Sequence, residues 1–123
     1  AASDFLIVAC PGGAATRNIV NAEVLAALGK KGTLVNIARG SIVDEPALVT
    51  ALANGTIKAA GLDVFADEPN IPRALLAMDH VVLLPHVGSA TQETRKAMGD
   101  LCKANLDAWF AGKPLPTVIA ELA

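Results

Sequence analysis

Four short apolar segments of strand length recur along the chain. They are rich in Val, Ile, Leu and Ala and cover residues 5–9, 33–38, 59–64 and 81–84. Runs of this kind are typical of strands buried on both faces of a parallel sheet, because strands with one solvated face alternate apolar and polar residues instead. We therefore predict four parallel strands, each buried on both faces.

Helical spacing of apolar residues fills the intervals between these strands. Asn21 is placed to cap a helix over residues 22–28, which Gly29 ends. Asp44 is placed to cap a second helix, with an acidic residue and a proline in its first turn and an Asn-Gly pair at its end. The sequence therefore predicts a helix after each of the first two strands.

A long helix is predicted after the fourth strand. Thr91 or Ser89 is placed to cap it, and it covers about residues 92–111, where Gly112 and two prolines follow. The succession of strands and helices predicts an α/β fold, a parallel sheet with flanking helices.

The composition is that of a globular protein rather than a disordered one. With 123 residues, 53% of them hydrophobic, the chain is long enough for one small packed domain. The formal net charge is −2 and the charges are scattered, which leaves no basic stripe for nucleic acid or anionic lipid. No apolar run approaches the roughly 20 residues of a membrane span. We expect neither nucleic acid nor a membrane as a partner.

The two cysteines, Cys10 and Cys102, lie in apolar surroundings with no CxxC spacing and no clustered His. We predict two buried free thiols and no metal site, with a disulfide as an unsupported alternative. Free thiols fit a reducing cytoplasm. The chain also has no initial Met and enters its first strand at Phe5, as a piece of a longer polypeptide does.

Polar residues follow several of the predicted strands at the point where each strand ends. Arg39 follows the second strand, Asp63 ends the third with Glu68 beyond it, and His86 follows the fourth. Because the carboxyl ends of parallel strands share one edge, where ligands gather, we expect these side chains to converge. His80 precedes its strand and falls at the opposite edge. Singly, each has an ordinary explanation, as a surface charge, a turn acid or a loop histidine.

Three motifs lie in this order along the chain: NIARGSIVDEPAL at 36–48, AGLDVFADEP at 60–69 and LPHVGSAT at 84–91. Together they closely resemble the D-isomer-specific 2-hydroxyacid dehydrogenases, and the resemblance runs from about residue 4 to residue 114. The segments ACPGG at 9–13 and NIPRALL at 70–76 are most similar to the glyoxylate/hydroxypyruvate reductase branch. The resemblance implies the second half of a Rossmann-type dinucleotide-binding domain.

This resemblance implies catalytic roles for Arg39, Glu68 and His86. A guanidinium matches the carboxylate of a 2-oxo acid with two parallel hydrogen bonds, so Arg39 would anchor the substrate. His86 would donate a proton to the developing alkoxide during reduction and accept it during oxidation. Glu68 would accept a hydrogen bond from the other ring nitrogen, fix the tautomer and favour the imidazolium.

The resemblance also implies NAD or NADP as the cofactor, and its branch favours NADP. The residues that would line the nicotinamide side are Cys10, Ile37, Ala38, Arg39, Asp63, His86, Gly88 and Ser89. No G-x-G-x-x-G occurs, because Gly12-Gly13 precedes no helix of the required pattern. Residues 1–123 therefore read as the C-terminal half of the cofactor domain plus a closing helix, without the glycine-rich loop and the N-terminal substrate domain.

The activity that the resemblance implies is hydride transfer between NAD(P)H and a small 2-oxo acid such as glyoxylate or hydroxypyruvate, by a homodimer. One alternative is a dinucleotide-sensing protein, like the corepressors of the same fold. Another is a structural α/β module with no affinity for NAD(P). Formate dehydrogenases are disfavoured, because they resemble this set with an amide where Glu68 stands.

Overall fold

The computed structural model describes residues 3–118. Its contacts divide the chain into two compact units, Ala1–Gly88 and Ser89–Ala123, which are described separately below. In the described residues, the first unit contains the sheet, three α-helices and two short 3-10 helices, and the second contains one long α-helix.

Four parallel strands form the sheet of the first unit, in the order β1-β2-β3-β4. They are β1 (Phe5–Val8), β2 (Thr33–Asn36), β3 (Ala59–Leu62) and β4 (Val81–Leu83). The register places Ile7 beside Val35, and Val35 beside Gly61. The four predicted strands and their parallel arrangement are confirmed, and each strand ends one or two residues before its predicted end.

Two α-helices of the first unit begin where their capping residues indicate. The Asn21 Oδ1 atom accepts the Val24 N–H at the start of α1 (Ala22–Leu28), at 3.1 Å. The Asp44 Oδ1 atom accepts the Ala47 N–H at the start of α2 (Glu45–Ala53), also at 3.1 Å. Both predicted caps are confirmed. A further helix, α3 (Arg73–Leu76), has no counterpart in the prediction, because a single turn leaves no periodic pattern to detect.

The core of the first unit lies on one face of its sheet. Alternate strand residues on that face join buried residues of α1, α2 and α3 in one cluster, which includes Val8, Leu34, Ala60, Leu62, Leu25, Leu48, Leu52 and Leu75. On the other face Phe5, Ile7 and Val82 are each more than 60% exposed. The prediction that every strand is buried on both faces is therefore wrong. Right-handed crossovers that always advance to the next strand place all their helices on the same face.

The second unit is dominated by α4 (Gln92–Phe110). The Thr91 Oγ1 atom accepts the Thr94 N–H at 3.2 Å, so Thr91 rather than Ser89 caps the helix. The ion pairs Lys96–Asp100 and Lys103–Asp107 join successive turns. No helix in residues 3–118 is long and apolar enough to cross a membrane.

Both cysteines are free thiols, but neither is buried. Cys10 is half-buried just after β1, and Cys102 is exposed on α4. The prediction of two buried thiols is therefore wrong in its burial. Cys10 borders an open cleft, and α4 has no buried side chain.

Candidate active site

Polar side chains collect at the carboxyl edge of the sheet in the first unit. Arg39 follows β2, Asp63 and Glu68 follow β3, and His86 follows β4. His80 precedes β4, where its carbonyl accepts the Ala60 N–H at 3.3 Å, so it lies at the opposite edge. The division of the two histidines between the two edges is therefore confirmed.

The closest pair at this edge is His86 and Glu68. The His86 Nδ1 atom lies 2.8 Å from the Glu68 Oε2 atom, and the side chains keep 48% and 35% of their exposure. The other carboxylate oxygen of Glu68 accepts the Phe65 N–H at 3.0 Å. With both its oxygens engaged, the carboxylate orients the imidazole and selects its Nδ1–H form.

The surroundings of Glu68 keep it ionised. The hydrogen bond from His86 is the largest cause of a lowered Glu68 pKa, followed by the Phe65 N–H. Burial opposes this shift, while the charges of His86 and Arg39 add to it. An ionised Glu68 is a pure acceptor and can pair with a protonated imidazole.

Asp63 holds the segment that carries His86, residues 85–88, through two hydrogen bonds to its backbone. Asp63 is only 4% exposed. Its two carboxylate oxygens accept the Val87 N–H at 2.7 Å and the Gly88 N–H at 2.8 Å. A Cβ on Gly88 would lie 3.0 Å from the Asp63 Oδ2 atom, so a side chain there would crowd this contact. His86 itself has a positive φ of 56°, a conformation that few residues other than glycine adopt.

A second buried polar side chain supports the segment that carries Arg39, residues 37–41. Asn36, the last residue of β2, is 1% exposed. Its Oδ1 atom accepts the Ala38 N–H at 3.0 Å, and its Nδ2 atom donates to the Arg39 carbonyl at 3.1 Å. The Arg39 guanidinium is exposed and donates from Nη1 to the Ala38 carbonyl at 2.6 Å.

Glycines allow the loops at this edge to pack closely. A Cβ on Gly40 would overlap the backbone of Phe65 and Ala66. A Cβ on Gly12 would lie 2.9 Å from the Arg39 Cγ atom, so the loop after β1 packs against the Arg39 stem. The loop that follows β2 therefore contacts both the loop after β1 and the loop after β3.

An open cleft of about 650 Å³ lies beyond the ends of β1 and β2. This size is within the range of ligand sites. Its lining residues are Ala9, Cys10, Pro11, Gly12, Ile37, Ala38, Arg39 and Ser41. The structure thus brings Cys10, Ile37, Ala38 and Arg39 together in one cleft. A smaller cavity of about 140 Å³ lies between the His86–Glu68 pair and Phe65.

The other predicted cofactor residues are not part of the lining of this cleft. Asp63, His86 and Gly88 lie outside the lining of the large cleft, at the neighbouring strand ends. Ser89 begins the second unit, so its cofactor role stays a prediction. Within residues 3–118, no three or more His, Cys, Asp or Glu side chains are grouped as a metal site requires.

Sequence reasoning missed Asn36, Gly12 and Gly40, which support this edge. Asn36 stood inside an apolar run that predicts a strand. A lone amide among apolar residues at the end of such a run was a usable signal, because a buried polar group needs partners.

The sequence is similar to known proteins of one family. Residues 1–88 match the family model described as the NAD-binding domain of D-isomer-specific 2-hydroxyacid dehydrogenases. Hydroxyphenylpyruvate reductase of Plectranthus scutellarioides is 57% identical over 117 residues, which are 95% of this chain and 37% of that protein. Glyoxylate/hydroxypyruvate reductase A of Arabidopsis thaliana is 54% identical, with the same coverage.

A solved structure is similar at the level of the fold as well. The NADPH-dependent glyoxylate/hydroxypyruvate reductase of Sinorhizobium meliloti, crystallised with NADP and malonate, is 60% identical with a TM-score of 0.93. The match covers 98% of this chain and 38% of that one. The chain therefore spans a little over a third of the length of these relatives.

Proposed function

Because the chain belongs to the D-isomer-specific 2-hydroxyacid dehydrogenase family, in its NAD-binding domain, we propose that it forms part of an NAD(P)H-dependent reductase of small 2-oxo acids. Residues 1–123 supply the C-terminal half of the cofactor domain and its closing helix. The glycine-rich loop and the substrate domain come from chain outside these residues. The observation that carries the proposal is the His86–Glu68 pair, 2.8 Å apart, at the sheet edge that also bears Arg39.

Arg39 anchors the substrate in this proposal. Its guanidinium is exposed at the wall of the large cleft and, among residues 3–118, makes one hydrogen bond, to the Ala38 carbonyl. The remaining N–H groups are therefore available to a carboxylate, which accepts two of them in parallel. A 2-oxo acid held in this way has its carbonyl adjacent to the same positive charge, which favours negative charge developing on the carbonyl oxygen.

His86 moves the proton. Its Nδ1 atom is engaged by Glu68, so Nε2 is the atom that donates to the alkoxide oxygen when the acid is reduced. The proton comes from the imidazolium, and the ring returns to its neutral form. Glu68 stabilises the imidazolium and fixes its orientation, and its lowered pKa keeps it ionised for that role.

The cleft fits the nicotinamide and ribose side of a dinucleotide. Cys10, Ile37 and Ala38 would line it, and Gly12 permits close approach of the backbone. When bound, the reduced nicotinamide supplies the hydride. NADP is favoured over NAD, because the Sinorhizobium relative is NADPH-dependent. A homodimer in the cytoplasm completes the proposal, on the family resemblance alone.

Glyoxylate and hydroxypyruvate are the substrates that the relatives favour, since reductases of these acids are among the most similar proteins. The alternative of a dinucleotide sensor receives no support from the relatives described above. A sensor and a reductase of this fold share the cofactor site. The two functions are therefore distinguished by whether the protein turns over a 2-oxo acid.

The test is cofactor oxidation by the full-length protein that contains these residues. NADPH and NADH are each supplied with glyoxylate, hydroxypyruvate or hydroxyphenylpyruvate, and absorbance of the reduced cofactor is followed. We expect turnover within the ordinary enzymatic range of about 1–10³ s⁻¹ for at least one of these acids. Tight NADPH binding without turnover of any of them would contradict the reductase and favour the sensor.

A further inference from the structure

Asn36 is a polar residue in an apolar position. Its neighbours in register are Val8 on β1 and Leu62 on β3, and both belong to the core cluster. It is 1% exposed, as deeply buried as the leucines around it. An amide in such a place is unfavourable unless its donor and acceptor both have partners.

Both partners of the Asn36 side chain belong to a single segment. The acceptor is used by the N–H of Ala38 and the donor by the carbonyl of Arg39. The Asn36 amide therefore binds the backbone on both sides of the peptide bond that joins Ala38 and Arg39. No apolar residue could hold the chain at this point in the same way, since the peptide groups of residues 38 and 39 would lose their partners.

The Arg39 side chain depends on its own backbone for its position. Its guanidinium is exposed and makes its hydrogen bond to the carbonyl of the preceding residue. Its stem rests against Gly12, and Gly40 beside it packs on the backbone of Phe65 and Ala66. Because the guanidinium is bonded to the Ala38 carbonyl and the stem rests against Gly12, we expect a shift of the Arg39 backbone to move the guanidinium as well.

We propose that Asn36 is a positioning residue for substrate binding, which acts by holding the backbone from which Arg39 extends. The proposal rests on the function proposed above for Arg39. It separates the roles of two buried polar side chains at this edge. Asn36 serves the carboxylate-binding arginine, whereas Asp63 holds the segment that bears His86.

The first test is a split between KM and kcat in the full-length protein. Asn36→Ala removes both hydrogen bonds and should raise KM for the 2-oxo acid at least roughly tenfold, the scale of one such bond. The pH profile of kcat should stay unchanged, because the His86 segment has its own support from Asp63. The control is Leu25→Ala, a core truncation in α1. It should lower Tm and leave KM as in the wild type.

The second test is a double-mutant cycle with Arg39→Lys. If Asn36 acts through Arg39, Asn36→Ala should raise KM much less in the Arg39→Lys background than in the wild type. Equal increases in both backgrounds would overturn the proposal, as would a KM increase of the same size in Leu25→Ala. Asn36→Asp keeps the acceptor for Ala38 but loses the donor to Arg39, and it replaces Asn36→Ala if that variant does not fold.

Failure of the proposed function is distinguishable from failure of this inference. A wild-type protein that reduces no 2-oxo acid contradicts the reductase but leaves the positioning of Arg39 to be measured directly. Amide hydrogen exchange at Ala38 should then accelerate at least tenfold in Asn36→Ala relative to Leu25→Ala, at equal global stability. Unchanged exchange at Ala38 would overturn the inference whatever the activity.

Discussion

Glu68 is bound on both its oxygens, by the His86 ring and by the Phe65 N–H. These hydrogen bonds lower the Glu68 pKa below its ordinary value. A carboxyl whose pKa is lower in the folded than in the unfolded protein stabilises the fold above the unfolded pKa. That stabilisation is lost as the pH falls through the folded pKa.

Glu68→Gln should therefore lower the free energy of unfolding at neutral pH. In acid it should lower that free energy less. We expect the difference in unfolding free energy between wild type and variant to be fully present above pH about 5 and to shrink below pH about 4.3. Denaturant unfolding across this range measures it. The same substitution in a His86→Gln background should show a weaker pH dependence, because His86 is the largest cause of the shift. A difference independent of pH would contradict this account of Glu68.

The candidate residues themselves could be found from the sequence, because each follows a strand and parallel strands end at one edge. The contacts that support them could not be. The cofactor role that the resemblance implies for Asp63 stays a prediction, and in the structure its two oxygens hold the His86 segment. That contact joins residues 24 and 25 positions apart, which no local pattern reveals.

At the scale of elements, the loop contacts depend on glycines whose neighbours are fixed. Gly40 has the backbone of Phe65 and Ala66 where a Cβ would lie, and neither peptide group can rotate away as a side chain could. Gly99, inside α4, has open space at the same position. We therefore expect substitution by alanine to change the stability of the protein in opposite directions at these two glycines.

Gly40→Ala should destabilise the protein by about 1–3 kcal/mol or more, since the loops after β2 and β3 must separate. Gly99→Ala should stabilise it by up to about 1 kcal/mol, because alanine is the better helix former. Thermal and denaturant unfolding of both variants check the signs. A neutral Gly40→Ala would mean that the two loops are not in close contact in solution.

Elements with strong end signals were predictable, and elements defined by tertiary packing were not. Asn21, Asp44 and Thr91 marked their helices because capping is local chemistry. The burial of each strand face depends on tertiary packing and not on the local sequence. Phe5 and Ile7 are as apolar as the residues on the buried face, and only the direction of the crossovers decides which face the helices cover.

At the scale of the whole molecule, β1 is an edge strand of the described sheet, paired with β2 on one side. Phe5 and Ile7 on this strand are 66% and 61% exposed. An apolar edge strand is a template for pairing with another chain. The 123-residue chain expressed alone should therefore self-associate.

Light scattering and size-exclusion chromatography measure this association. Ile7→Lys should reduce it, since a charged residue on an edge strand opposes pairing. Val82→Lys places the same charge on the same face of the sheet at β4, which is the other edge strand, so the pair of variants shows which of the two edges associates. A monomeric wild-type chain, or a stronger effect of Val82→Lys, would contradict a role for the β1 edge.

The most direct test of the central claim compares the two histidines in the full-length protein. His86→Gln should reduce kcat for 2-oxo acid reduction by roughly 10²-fold or more, the scale of losing a positioned acid, with NADPH affinity retained. His80→Gln, at the opposite edge of the sheet, should turn over like the wild type. Near wild-type reduction by His86→Gln, or an equal loss in His80→Gln, would contradict the assignment of proton transfer to this edge.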